Sequence, residues 1–152
     1  KCIYTYKEYN DDDLDFESNI TSYHLDMNVY KKNPRSFEEL RQYINEDGNN
    51  GDLLFSNINN ILAKICKCLS SDKAVFQSEN LKQSTTFQLF GIDIIFDKNL
   101  NPYLLEMNKG PDMIPRDDID RKLKIKVQSH MFSTIGLLPP IENNTFYLIY
   151  QK

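Results

Sequence analysis

"FGIDIIFDKNLNPYLLEMN", residues 90–108, sets two runs of apolar, strand-forming side chains on either side of a polar link. Asp93, Glu106 and Asn108 interrupt those runs. The link, Asp97 to Asn101, is rich in turn formers, so the runs fold back on each other as an antiparallel hairpin. Side chains alternate between the two faces of a strand. Phe90, Ile92, Ile94 and Phe96 then share one face, joined by Tyr103, Leu105 and Met107 in a fully apolar layer. The other face carries Gly91, Asp93 and Ile95 beside Leu104, Glu106 and Asn108.

If Phe96 pairs with Tyr103, Asp93 falls directly opposite Glu106, with Cβ atoms about 4.5–5.5 Å apart. Two carboxylates that close repel and raise one another's pKa unless a cation intervenes. With the carboxamide oxygen of Asn108 the face presents three oxygen donors. Such a set suits a hard divalent cation like Mg²⁺, and Gly91 leaves room beside it for a ligand. A polar face turned to solvent satisfies the same alternation, so the pattern names a face and leaves its function open.

Outward from the hairpin, the order strand, helix, helix, strand, strand, helix implies an α+β fold, with helices packed on an antiparallel sheet. Residues 2–9 read as a strand, followed by an acidic loop and an extended segment over 20–32. Ser36 and Glu39 form a capping-box signature for a helix to about residue 46. Asp52 is placed to cap the next helix, whose Leu54, Ile58, Ile61, Leu62, Ile65 and Leu69 recur at core-facing spacing. A last helix spans about 117–135, with acidic residues at its start and Gly136 at its end. "NTFYLIYQK" closes the chain as a short strand.

With 152 residues the chain fits one domain, and 40% hydrophobic and 26% charged residues are ordinary for a globular protein. A net charge of −4 supplies no dominant cationic field and argues against a nucleic-acid partner. No apolar run approaches the roughly 18 residues of a membrane span, so no membrane partner is expected. Cys2, Cys66 and Cys68 are odd in number. Cys66 and Cys68 point to different sides of a helix, so free thiols in a reducing, intracellular setting are expected.

"FQLFGIDIIFDKNLNPYLLEMN", residues 87–108, resembles the C-terminal ATP-grasp signature of the tubulin–tyrosine ligase and tubulin–tyrosine ligase-like family: F-G-x-D, a hairpin, then L-L-E-x-N. The thirteen-residue step from Asp93 to Glu106 also matches. "DDIDRKLKIKVQSHMFSTIGL", residues 117–137, is similar to the ligase-like branch, which includes polyglutamylases. "YHLDMNVYKK", residues 23–32, resembles the family's H-L-T-N segment and the lysine that follows it. His24 and Leu25 match and Lys32 falls at the lysine, while Asp26 and Met27 replace threonine and asparagine.

The resemblance implies a C-terminal portion of an ATP-grasp fold, belonging to a longer protein that is cytoplasmic and associated with the cytoskeleton. It implies an ATP-dependent ligase that phosphorylates an acceptor carboxylate and lets the amine of a free amino acid, glutamate or tyrosine, attack the acyl phosphate. The cofactors would be ATP and Mg²⁺, and the partner tubulin or another acidic protein. By residue-wise carry-over Asp93, Glu106 and Asn108 hold the metal, Asp93 and Asn108 also meet the nucleotide, and Lys32 meets the substrate carboxylate as a point charge. No side chain is assigned a catalytic acid–base role, and glutamate is favoured as the added amino acid. The alternative is a non-catalytic module that keeps the fold and binds an acidic partner: the replaced Thr-Asn pair favours it, and the intact donor set disfavours it.

Among the remaining residues, His24 reads as a packed structural histidine and His130 as a surface one. Arg121, Lys122, Lys124 and Lys126 read as a solvated helix face or as a contact for an acidic tail. Lys109 is placed to approach a phosphate or the acceptor, and "KGPDMIP", residues 109–115, reads as an ordered loop over the site.

Overall fold

The structure, a computed structural model, describes residues 1–10, 12, 15–21, 27–71 and 87–151. It is α+β. The described elements, in chain order, are α1 (Phe16–Asn19), a 3-10 helix (Met27–Lys31), α2 (Phe37–Glu46), α3 (Gly51–Ser71), β1 (Phe90–Phe96), β2 (Pro102–Lys109) and α4 (Asp118–Thr134). The chain divides into two compact units, Lys1–Ser56 and Asn57–Lys152, and the division falls within α3. No described helix is long and apolar enough to cross a membrane.

In the first unit the expected strand over 2–9 does not form. Its main chain finds no ladder among the described residues: the Cys2 N–H donates to the Arg35 carbonyl at 2.9 Å. Phenols hold the segment instead, Tyr4 donating to the Pro34 carbonyl and Tyr30 to the Cys2 carbonyl, both at 2.8 Å. The acidic loop condenses into α1, capped by Asp15. The 3-10 helix replaces part of the expected extended segment over 20–32; residues 22–26 lie outside the described ones.

Helix α2 begins as its sequence implies. Ser36 Oγ accepts the Glu39 N–H at 3.1 Å while Glu39 Oε2 accepts the Ser36 N–H at 3.0 Å. Asp52 is not the cap of α3. Asn50 Oδ1 accepts the Leu53 N–H at 2.9 Å, and Asn45 Oδ1 accepts the Gly51 N–H at 2.8 Å. Asp52 instead pairs with Arg41, whose guanidinium lies 4.5 Å from the centre of the Phe55 ring. Gly51 is required there, because a Cβ would stand 2.7 Å from the Arg41 carbonyl oxygen. Among the described residues of this unit Ile44 and Leu54 are buried, as is Pro34. Leu54 alone in the expected α3 stripe is buried, and Ile58, Ile61, Leu62, Ile65 and Leu69 are half-buried.

In the second unit β1 and β2 form a two-stranded antiparallel sheet. Asp117 caps α4 through the Asp120 N–H at 2.8 Å, and Gly136, at φ 79°, ends it. The apolar row along α4 is exposed at Ile119 and Leu123 and buried only at Met131. His130 is not a surface residue: it is 8% exposed. Its Nδ1 accepts the Thr145 N–H at 2.9 Å and faces Thr145 Oγ1 at 3.0 Å. The expected last strand is therefore irregular over the described residues. The Thr145 amide and the Asn144 side chain bond to α4, and Tyr147 donates to Asn59 Oδ1 of α3 at 2.8 Å.

Candidate functional site

The hairpin turn is built on one carboxylate. Asp97 Oδ1 accepts the N–H groups of Asn99 and Asn101, each at 2.8 Å, and Oδ2 accepts the Asn101 amide at 2.9 Å. The Asp97 N–H donates to the Asn101 carbonyl at 3.1 Å. This closure leaves a three-residue loop with Leu100 in the left-handed region at φ 61°. These bonds hold the Asp97 carboxyl below its usual range, the Asn101 amide contributing most.

Such a turn pairs Phe96 with Pro102, not with Tyr103. A regular ladder from there would bring Asp93 opposite Leu105. The register instead shifts between Asp93 and Ile94, and Leu105 is the extra residue. Beyond this bulge Asp93 pairs with Glu106, Ile92 with Met107 and Gly91 with Asn108. The expected carboxylate pair is thus present, reached through a different register. Leu104, paired with Ile94, and Tyr103, paired with Ile95, exchange the faces expected of them.

Glu106 and Asn108 share a face and touch: the Asn108 amide donates to Glu106 Oε1 at 2.8 Å, leaving its Oδ1 as an acceptor. Asp93, Glu106 and Asn108 are all exposed, whereas Phe90, Ile92, Ile94 and Phe96 are half-buried. The Asp93 carboxyl is pushed above its usual range, first by desolvation, then by a hydrogen bond to Glu106 and the charge of that residue. A divalent cation between the two would remove that repulsion, and two carboxylates with a carboxamide are the donors Mg²⁺ takes. Among the described residues no cluster of three or more histidine, cysteine, aspartate or glutamate side chains is placed to hold a metal; beside the two carboxylates, the further oxygen on this face is that of the Asn108 carboxamide.

Two expectations about the surroundings change. Gly91 does not leave room for a ligand, because a Cβ there would meet Pro111 Cβ at 3.0 Å. The loop after β2 packs Pro111 against Gly91, at one end of the face that bears Asp93, Glu106 and Asn108. Lys109 pairs with Phe90 and alternates away from Asn108, so it does not share the donor face. Lys32 follows the 3-10 helix, exposed, in the first unit, while the donor set belongs to the second. His24 and Asp26 lie outside the described residues.

A family model described as "Tubulin-tyrosine ligase family" matches residues 3–145. The chain belongs to the tubulin-tyrosine ligase family. Among its relatives in the family, the chain is 26% identical over 109 residues to human "Tubulin polyglutamylase TTLL5", across 70% of this chain. Over 57 residues it is 35% identical to Caenorhabditis elegans "Probable tubulin polyglutamylase ttll-9", across 38% of this chain and 14% of that protein. Over 62 residues it is 42% identical to Tetrahymena thermophila "Tubulin glycylase 3F", across 40% of this chain and 6% of that protein. The chain spans 8% of the length of the human relative.

Within this family member, reading the sequence missed what α4 does for the loop. Asp120 is 3% exposed, and its Oδ2 lies 2.9 Å from Lys124 Nζ. Lys124 therefore leaves the expected basic cluster; Arg121, Lys122 and Lys126 remain exposed. The four-residue spacing of Asp120 and Lys124 was a visible signal, since such pairs meet on one helix face.

Proposed function

We propose that this chain holds Mg²⁺–ATP in a ligase that joins an amino acid, glutamate, to a carboxylate of tubulin. The observation that carries the reading is the cross-strand pairing of Asp93 with Glu106 on the face that also bears Asn108. Membership of the tubulin-tyrosine ligase family and likeness to polyglutamylases support it. The fold would be the C-terminal portion of an ATP-grasp fold, and the protein cytoplasmic and associated with microtubules.

In this reading Asp93 and Glu106 supply two anionic oxygens and Asn108 Oδ1 a neutral one, with Asp93 and Asn108 also facing the nucleotide. A Mg²⁺ ion held by these three residues would supply charge neutralisation for the phosphates and orientation for phosphoryl transfer. Lys32 meets the carboxylate of the incoming amino acid. The Asn108 amide orients Glu106, so the two residues act as one unit.

The test is incorporation of labelled glutamate, tyrosine or glycine into tubulin by the intact protein with ATP and Mg²⁺. Glutamate incorporation that is lost in EDTA and in Glu106→Gln is expected. Tyrosine or glycine incorporation alone overturns the choice of amino acid. A second reading, a non-catalytic module binding an acidic partner, is favoured by Asp26 and Met27 standing where the family has Thr-Asn. Salt-sensitive tubulin binding with no incorporation of any of the three would select it.

A further inference from the structure

The loop that packs on the Gly91 end of the donor face is tied to α4 through the Asp120–Lys124 ion pair. Asp120 Oδ2 accepts the Arg116 N–H at 3.0 Å and meets Lys124 Nζ at 2.9 Å. Lys124 Nζ also donates to the Ile114 carbonyl at 2.6 Å. One carboxylate and one ammonium thus clamp the loop main chain at two points. The Asp120 side chain is 2% exposed and that of Lys124 18%, a degree of desolvation that an ion pair tolerates only when its remaining bonds are satisfied. Here the loop main chain satisfies them.

The same loop starts at the site. Gly110, at φ 66°, turns the chain out of β2, and its N–H donates to the Leu89 carbonyl at 3.3 Å. Pro111 then seats on Gly91, the direct partner of Asn108. Between seat and clamp, Asp112 Oδ1 accepts the Ile114 N–H at 2.9 Å, and Arg116 reaches back to Asp112 at 3.6 Å. The segment is cross-braced from Pro111 to Arg116.

We propose that Asp120 and Lys124 are positioning residues for the Asp93, Glu106 and Asn108 donor set: they hold the 110–116 loop so that Pro111 closes the Gly91 end of that face. The inference rests on the reading of that face as a Mg²⁺–ATP site. Neither residue touches the donors. They act through the loop, as the outer supports of metal ligands do when they restrict ligand geometry and solvent access.

The experiment is Mn²⁺ binding to the intact protein, followed by electron paramagnetic resonance well below the melting temperature. Wild type binds and Glu106→Gln does not. Lys124→Met weakens Mn²⁺ about tenfold, the range seen when outer-shell supports are lost, and Lys124→Arg restores affinity to within about threefold of wild type by remaking the clamp. Gly91→Val, which unseats Pro111 without touching the buried pair, also weakens Mn²⁺ about tenfold and keeps the inference testable if Lys124→Met fails to fold. Met131→Ala, a core change at the far end of α4, lowers the melting temperature and leaves Mn²⁺ affinity unchanged. Wild-type affinity in Gly91→Val, or an equal loss in Met131→Ala, overturns the positioning role while the site stands. Absence of Mn²⁺ binding by wild type overturns the site and the positioning role together.

Discussion

Asp93 stands opposite Glu106 although the two strands leave their turn one residue out of step with that pairing. The bulge at Leu105 makes up the difference and keeps Glu106 and Asn108 on the Asp93 face. Without it Glu106 would sit opposite Ile92, on the apolar side, and the acidic face would dissolve.

The opposed carboxylates cost stability in the absence of metal, and Asp93→Asn should show it. The Asp93 carboxyl is raised in the folded state, so it binds its proton more tightly there than in the unfolded chain. Its contribution is most favourable at low pH and is lost as pH rises through the raised folded value. At pH 7 without metal, Asp93→Asn should therefore be more stable than wild type by up to about 1 kcal/mol, the ceiling for exposed charges. The advantage should shrink to nothing by about pH 3, where both forms are protonated. Urea unfolding across that range checks it, and an advantage that grows on acidification would refute the assignment.

Leu100 occupies the left-handed region at φ 61°, which costs a residue with a Cβ about 1–2 kcal/mol. Leu100→Gly should remove that strain and raise stability by about 1 kcal/mol. Because Asp97 and not the Leu100 side chain sets the turn, the register should persist. Chemical denaturation gives the first number, and cross-strand nuclear Overhauser contacts between Asp93 and Glu106 report the second.

The capping box of α2 makes a separate prediction. Ser36→Ala leaves the Glu39 N–H without its acceptor and should cost about 1 kcal/mol. The Glu39 carboxyl is held below its usual range, chiefly by the Ser36 N–H and then by that of Arg35. The stability it lends is present above the ordinary carboxylate range and lost as pH falls through the lowered folded value. Wild type should accordingly lose α2 helicity on acidification, followed by circular dichroism, and a profile flat down to about pH 3 would count against the box.

Local signals carried the parts of the structure that depend on neighbours in sequence. The capping box, the hairpin, the acidic start and glycine stop of α4, and the Asp93–Glu106 pairing could be read because each is decided by a short stretch of sequence. Most of what failed depended on distant partners. Residues 2–9 have the composition of a strand, but a strand needs a ladder, and the described amides here bond singly, Cys2 to the Arg35 carbonyl and Lys7 to the Glu17 carbonyl. His130 read as surface because its acceptor role is met by Thr145, fifteen residues on. Gly91 read as open space because nothing in alternation announces Pro111. The bulge was invisible for a subtler reason: a regular ladder and a bulged one with a tighter turn bring the same two carboxylates together.

His130 offers the sharpest remaining test of how the C-terminal segment is held. Its Nδ1 accepts the Thr145 N–H at 2.9 Å, and its own carbonyl accepts the Thr134 hydroxyl at 2.8 Å and the Asn144 amide at 3.1 Å. His130→Ala should cost about 1–3 kcal/mol, because the Thr145 N–H loses its acceptor and the buried ring leaves a void. Thr145→Val keeps the main-chain bond and should cost only about 1 kcal/mol, the worth of one hydroxyl contact. Amide hydrogen exchange separates the two: the Thr145 amide should exchange faster in His130→Ala and remain protected in Thr145→Val. Equal exchange in both would mean that the segment is held by Tyr147 and Asn59 instead, at the other anchored point of the same stretch.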